Sequence, residues 1–342
     1  MTTRRQFTQA TAAASVLGAL PASLVRAQNA TTSAPTSATA NALVDTLRIV
    51  VGFPPGGTTD AFARRMAEKL RGVYATNVVI DNKAGAGGQI AVMNLRDSAP
   101  DGTSMLFTPG SMITIYPHTY PKLQYKPADV LPISTGIYTA FGLGVGPGVP
   151  ASVTNVKEFI AWVKANPSMG NYGTPGAGSM PHMVAALLDK AAGTDMKQVA
   201  YRGSGPAIIE LLGGQLPVFS SPIGDYLQHL PSGKLRLLAV TGKTRSKFAP
   251  NVPTYAEQGF PELTMEEWFG FFMPARTPAT IATRMNDALK ALIPAKDVAD
   301  FAAPIGLVPT ASASIDDFAK TVKADSDLWG GYVKRIGFTA ES

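Results

Sequence analysis

The stretch VGFPPGGTTDAFARRM (Val51–Met66) passes from a strand pattern to a helix pattern within a single turn. The residues before the turn, LRIVVGF from Leu47 to Phe53, form a short β-branched run that fits a buried strand. After it Phe62, Met66 and Leu70 fall four apart, while Arg64, Arg65, Glu68 and Lys69 fill the other face, as in an amphipathic helix. Between the two lie Pro54, Pro55, Gly56, Gly57, Thr58 and Thr59. The first turn of a helix carries N–H groups without intrahelical partners and the positive end of the helix dipole. Glycines ahead of it let an anion reach the backbone with no Cβ in the way, and Thr58, Thr59 and Asp60 can cap the helix.

The same device recurs along the chain, at Gly85–Gly88, Gly176–Ser179 and Gly203–Gly205. Strands are expected at NVVID (Asn77–Asp81), SMLFT (Ser104–Thr108), FGLGV (Phe141–Val145), KLRLLAV (Lys234–Val240) and in EWFGFFMPARTP (Glu266–Pro278), which leads into a helix near Ala279. A further helix, capped near Thr154 or Asn155, shows Val156, Phe159, Ile160 and Val163 on one face and stops at Asn166-Pro167. Strands alternating with helices imply parallel sheets, in which strand-to-helix turns gather at the carboxyl ends of the strands, where ligands bind.

Which anion these turns suit follows largely by elimination. Gly57 is followed by Thr58, so the lysine of a phosphate-binding P-loop is missing; GAGG at Gly85–Gly88 and the pair Gly176 and Gly178 lack the spacing of a dinucleotide fingerprint. A carboxylate needs only backbone donors and hydroxyls. The 342 residues include no cysteine, which excludes disulfides, thiolate catalysis and cysteine-ligated zinc. The three histidines, His118, His182 and His229, have no metal-binding spacing, and no G-x-S-x-G elbow is present, so neither a metal nor a catalytic residue nor a cofactor is assigned. His182, on the first turn of a helix, suits ligand contact and capping or packing equally. Trp268, Phe269, Phe271 and Phe272 read as core.

At the N-terminus, Arg4–Arg5, an alanine-rich apolar run and the small-residue pattern VRA form the three-part order of a twin-arginine or Sec-type export signal, cleaved after Ala27. Residues 28–45 read as a flexible linker. The formal charge of +6 includes Arg4, Arg5 and Arg26, and +3 remains without them, with no cluster suited to nucleic acid. No later stretch is long and apolar enough for a transmembrane helix.

Seven segments in order resemble the extracytoplasmic solute-binding proteins of the tripartite tricarboxylate transporter system, the Bordetella uptake gene (Bug) family. They are VGFPPGGTTDAFAR, VIDNKAGAGGQIA, APDGTSMLF, NYGTPGAGSMPH, YRGSGPAIIELLGGQ, GKLRLLAVTGKTRS and WFGFFMPARTP. The resemblance implies a type II periplasmic-binding-protein fold, two α/β domains with a ligand cleft between them. It implies domain 1 from residues 46–143 and 271–342 and domain 2 from 144–270, with crossings near Phe141–Val145 and Phe269–Met273. It further implies a periplasmic, monomeric, non-enzymatic protein that captures a small carboxylate, a di- or tricarboxylate or an aromatic acid, for membrane transporter subunits. A ligand sensor feeding a membrane histidine kinase and an exported hydrolase are the alternative readings.

Carried over residue by residue, the ligand site comprises Phe53, Pro55, Gly56, Gly57, Thr58, Thr59, Asp60, Gly87 and Gly88 from the first domain. From the second it takes Thr174, Gly176, Gly178, Ser179, His182, Tyr201, Arg202, Gly203, Ser204, Ser221 and Asp225. Two departures stand out. Ser221 occupies the place of an aspartate that faces the variable end of the ligand in the family, which removes a negative charge and disfavours amino-group recognition. Pro217 replaces a polar residue nearby.

Overall fold

The computed structural model describes residues 43–340. The expected export signal, its cleavage point after Ala27 and residues 28–42 of the expected linker lie outside the described residues. The linker's last two residues, Val44 and Asp45, belong to β1 (Val44–Val51), where Val44 pairs with Ala75.

The first half of the chain continues with α1 (Thr58–Leu70), β2 (Ala75–Asn82), α2 (Gln89–Arg96), β3 (Ser104–Pro109), α3 (Ser111–Thr114), α4 (Tyr116–Thr119) and β4 (Val130–Thr139). The chain then crosses to a second sheet through Ala140 and forms β5 (Phe141–Val145), α5 (Val156–Ala165), β6 (Asn171–Thr174), α6 (Met180–Ala192), β7 (Lys197–Ala200), α7 (Ser204–Leu212), β8 (Val218–Pro222), α8 (Gly224–Leu227) and β9 (Arg236–Val240). It returns through β10 (Glu267–Pro274), followed by α9 (Ala279–Leu292), α10 (Lys296–Ala302), β11 (Val308–Pro309) and α11 (Ile315–Ile336). The chain thus changes sheet just ahead of β5 and again ahead of β10.

The first sheet has the order β11-β4-β10-β3-β1-β2 and the second β7-β6-β8-β5-β9. In the first, β1 runs parallel to β2 and β3; in the second, β6 runs parallel to β7 and β8. The strand entered after each crossing is antiparallel to its neighbours: β5 against β8 and β9, β10 against β3 and β4.

Helices cover both faces of each sheet, the arrangement that parallel strands buried on both sides require. On α1 the expected face, Phe62, Met66 and Leu70, is fully buried against Phe107 and Phe271, and α9 joins the same cluster through Met285 and Leu289. Asn155 caps α5, its side chain accepting the N–H of Glu158 at 3.0 Å, and Val156, Phe159 and Val163 face inward. The C-terminal helix α11 serves both sheets. Phe318 near its start packs with Trp268 and Phe272 of β10, while Trp329 and Val333 near its end join the core of the second sheet.

Candidate functional site

The opening turn leaves β1 beside β3 and bends sharply at two glycines. A Cβ on Gly52 would sit 2.8 Å from the Cα of Gly88, so the second glycine turn packs directly behind the first. Gly56 adopts φ +92°, a conformation that glycine takes without steric cost. The Gly56 N–H donates to Asp60 at 2.9 Å, and Asp60 also accepts from Arg64 at 2.8 Å and Asn82 at 2.9 Å. Burial works to raise the Asp60 carboxyl, but these donors outweigh it and hold it below its ordinary value. Among the described residues, the N–H groups of Gly57, Thr58 and Thr59 have no hydrogen-bond partner.

A cavity of about 610 Å³ opens in front of this turn and is walled by both lobes. Of the residues expected at the site, Phe53, Pro55, Gly56, Gly57, Thr58 and Thr59 line it from the first lobe. Gly176, Ser179, Arg202, Gly203, Ser204 and Asp225 line it from the second. The first turns of α1, α6 and α7 therefore meet at one cavity.

The other expected residues stand behind the wall, each for a structural reason. Asp60 is engaged by its three donors. Gly87 passes its carbonyl to the hydroxyl of Tyr116 at 2.9 Å, and Gly88 abuts Gly52. Thr174 is fully buried and accepts from Gln198 at 2.7 Å. The Gly178 N–H donates to Nδ1 of His182 at 2.9 Å, which assigns both residues to bracing the turn. The ring of Phe338 meets the His182 ring edge-on at 4.4 Å, and burial lowers the imidazole pKa to about 4. Tyr201 donates its hydroxyl outward to Glu210.

Ser221 is fully buried on β8 and donates to Asp225. Asp225, on α8, thus brings its carboxyl to Ser221. The other Asp225 oxygen accepts from Thr58 at 3.0 Å, a hydrogen bond from one lobe to the other. Burial raises the Asp225 carboxyl, and hydroxyls from Ser204, Ser221 and Thr58 partly offset this. The lobes also meet where Tyr120 donates to the carbonyl of Ala177 at 2.8 Å.

The cavity wall includes residues outside the glycine turns. Ser111, Met112 and Tyr116 follow β3, Phe141 opens β5, and Glu267 and Phe269 open β10. Their only sequence signal is that Glu267 heads an otherwise apolar strand. Phe269, expected as core, is both core and wall, and His229 also reaches the wall. Ser179 donates to the carbonyl of Gly176 at 2.6 Å, and His182 accepts from the Gly178 N–H. Among the described residues no group of three potential ligands could hold a metal ion.

Two α/β lobes, two crossings and a cavity walled by strand-to-helix turns define a periplasmic-binding-protein architecture. The receptor family of the tripartite tricarboxylate transporters matches over residues 62–338, and this chain belongs to it. It is 31% identical over 293 residues to Protein BugT of Bordetella pertussis, covering 85% of this chain and 89% of that one. Among solved structures, it superimposes with TM-score 0.78 on MatC from Rhodopseudomonas palustris with bound malate, at 26% identity over 85% of this chain and 99% of that one. With a second R. palustris protein, solved with adipate, the TM-score is 0.81 at 28% identity, covering 86% and 98%. The family is one of substrate-binding receptors that work with tripartite transporters. No helix among the described residues is long and apolar enough to cross a membrane.

Proposed function

We propose that this chain is exported to the periplasm, cleaved after Ala27, and there captures a small carboxylate that it delivers to the membrane subunits of a tripartite tricarboxylate-type transporter. One observation carries this reading: the first turns of three helices, from both lobes, line a single cavity, and the N–H groups of Gly57, Thr58 and Thr59 are unpaired among the described residues. Such donors, at the positive end of a helix dipole, hold an anion without a dedicated cation. Arg202 adds positive charge at the wall, whereas Asp225, whose carboxyl reaches Thr58 from the other lobe, is engaged by hydroxyls.

The relatives solved with malate and adipate support a carboxylate. The cavity walls include Phe53, Phe141, Phe269, Ile208 and Leu212, which favours an acid whose carboxylate is joined to a ring or a methylene chain. The hydrogen bond from Thr58 to Asp225 closes the lobes over such a ligand and selects the closed state.

The test is a thermal-shift screen of the cleaved protein against aliphatic diacids, citrate-like acids, aromatic acids, amino acids and nucleotides. An acid at a hundred times its Kd stabilises the fold by about 2.7 kcal/mol. Thr58→Asp, which sets a carboxylate among the free N–H groups, is expected to abolish that shift. A response to nucleotides alone, or a shift that Thr58→Asp leaves intact, refutes the proposal.

A further inference from the structure

Glu267 stands apart from the glycine turns. It opens β10, opposite Thr139 of β4, and reaches the cavity beside the first crossing. The first sheet's order places β10 two strands from β1, a backbone separation of roughly 10 Å. That leaves room for a ring or a short chain between a carboxylate at the first turn and Glu267.

The side chain is only 5% exposed and belongs to no ion pair among the described residues. Its Oε1 accepts twice from one residue, from the N–H of Ser111 at 2.6 Å and from the Ser111 hydroxyl. Its Oε2 has no hydrogen-bond partner among the described residues, yet the residue lies on the cavity wall. The ionisable groups that face it are Asp325 on α11, which accepts from the indole of Trp268, and Tyr116 on α4; neither supplies positive charge. Oε2 is not sealed from solvent, so it is open to the cavity and available to a ligand.

We propose that Glu267 is a specificity-determining residue whose Oε2 donates a hydrogen bond to an acceptor oxygen at the end of the ligand away from the glycine turns. The site then selects acids that carry a second oxygen function, a carboxylate or a carbonyl. Burial pushes the Glu267 carboxyl up to about 7, with Ser111 opposing and Asp325 adding to the rise. Because Oε1 already takes two donors, the proton of the neutral form sits on Oε2. A ligand acceptor is bound by that form alone, and a second ligand carboxylate is repelled once Glu267 ionises. The inference rests on the carboxylate reading of the first turn and deepens it.

The experiment is calorimetric titration of the cleaved protein between pH 6 and pH 8. Terephthalate and adipate are compared with benzoate and hexanoate, and with 4-(aminomethyl)benzoate and 6-aminohexanoate. At pH 6 the diacids are expected to outbind the matched monoacids, and their affinity to fall about tenfold by pH 8 as the neutral form is depleted. Glu267→Gln, which keeps a donor toward the cavity, is expected to bind diacids with a flat pH profile, and Glu267→Leu to lose the preference for diacids. The inference is overturned if diacid and monoacid bind alike or if the profile survives in Glu267→Gln. It is equally overturned if His229→Gln rather than Glu267→Gln flattens it, or if the amino acids bind best, which means an ionised Glu267 that takes an ammonium. In each of those cases acids still bind and the carboxylate reading stands; if no acid binds, both fail.

Discussion

In the first lobe the N–H of Gly56 is held by the Asp60 carboxylate at 2.9 Å, four residues on; in the second, the N–H of Gly178 is held by Nδ1 of His182 at 2.9 Å, again four residues on. In both turns a side chain on the first helical turn reaches back to fix a glycine ahead of the helix. The chemistry differs. Asp60 is ionised and anchored by Arg64 and Asn82, whereas His182 is neutral and packed against Phe338 and Tyr172. One shape is thus held by charge and the other by the absence of charge.

Acid separates them. The His182 pKa is lowered from 6.5 in the unfolded chain to about 4, so its contribution is present above pH 6.5 and is lost as pH falls toward 4. Protonation also turns Nδ1 into a donor facing the N–H of Gly178. Asp60, lowered from 3.8, keeps its contribution until pH falls below that value. The largest expected effect is therefore a loss of about 3 kcal/mol between pH 7 and pH 4 that His182→Gln removes and Asp60→Asn does not, read by urea denaturation across that range. An equal loss in His182→Gln breaks the comparison.

Glycine replacement sharpens it. Gly56 and Gly178 both have positive φ, +92° and +70°, so alanine at either costs about 1–2 kcal/mol from the backbone. A Cβ on Gly56 meets nothing within 4 Å, whereas one on Gly178 meets Tyr120 at 2.9 Å and Thr119 at 3.0 Å, both from the other lobe. Gly178→Ala is expected to destabilise more than Gly56→Ala in thermal melts, and to hold the lobes apart in solution scattering. Smallest is Phe338→Ala. It admits water beside His182, costs about 1 kcal/mol, and shrinks the acid loss because the resolvated imidazole moves back toward its ordinary pKa.

The glycine turns were legible because they combine a local pattern with a backbone conformation few residues adopt. So was β10, whose WFGFF carries four aromatic residues. By contrast, β4 gave no signal. Its VLPISTGIYT carries proline, serine and glycine, and Gly136 is there because a Cβ would come within 2.8 Å of Phe107 and Phe271. That requirement comes from the packed sheet and has no local signature. The site divided the same way. Residues flanking the helix starts could be named from their glycines, but the turns alone do not say which line the cavity and which brace the loop. Asp225 could be named, but its return to Ser221 depends on α8 starting where it does. Glu267 and Ser111 meet only because β10 pairs with β3 across more than 150 residues of chain, a separation of 156.

The C-terminal helix α11 begins against the first sheet and ends against the second, and the segment after it lays Phe338 on His182 and ties the Ala340 N–H to the Thr119 carbonyl at 2.8 Å. A stiff rod seated on both lobes acts as a torsion bar: it lets them twist about its length and resists their prising apart.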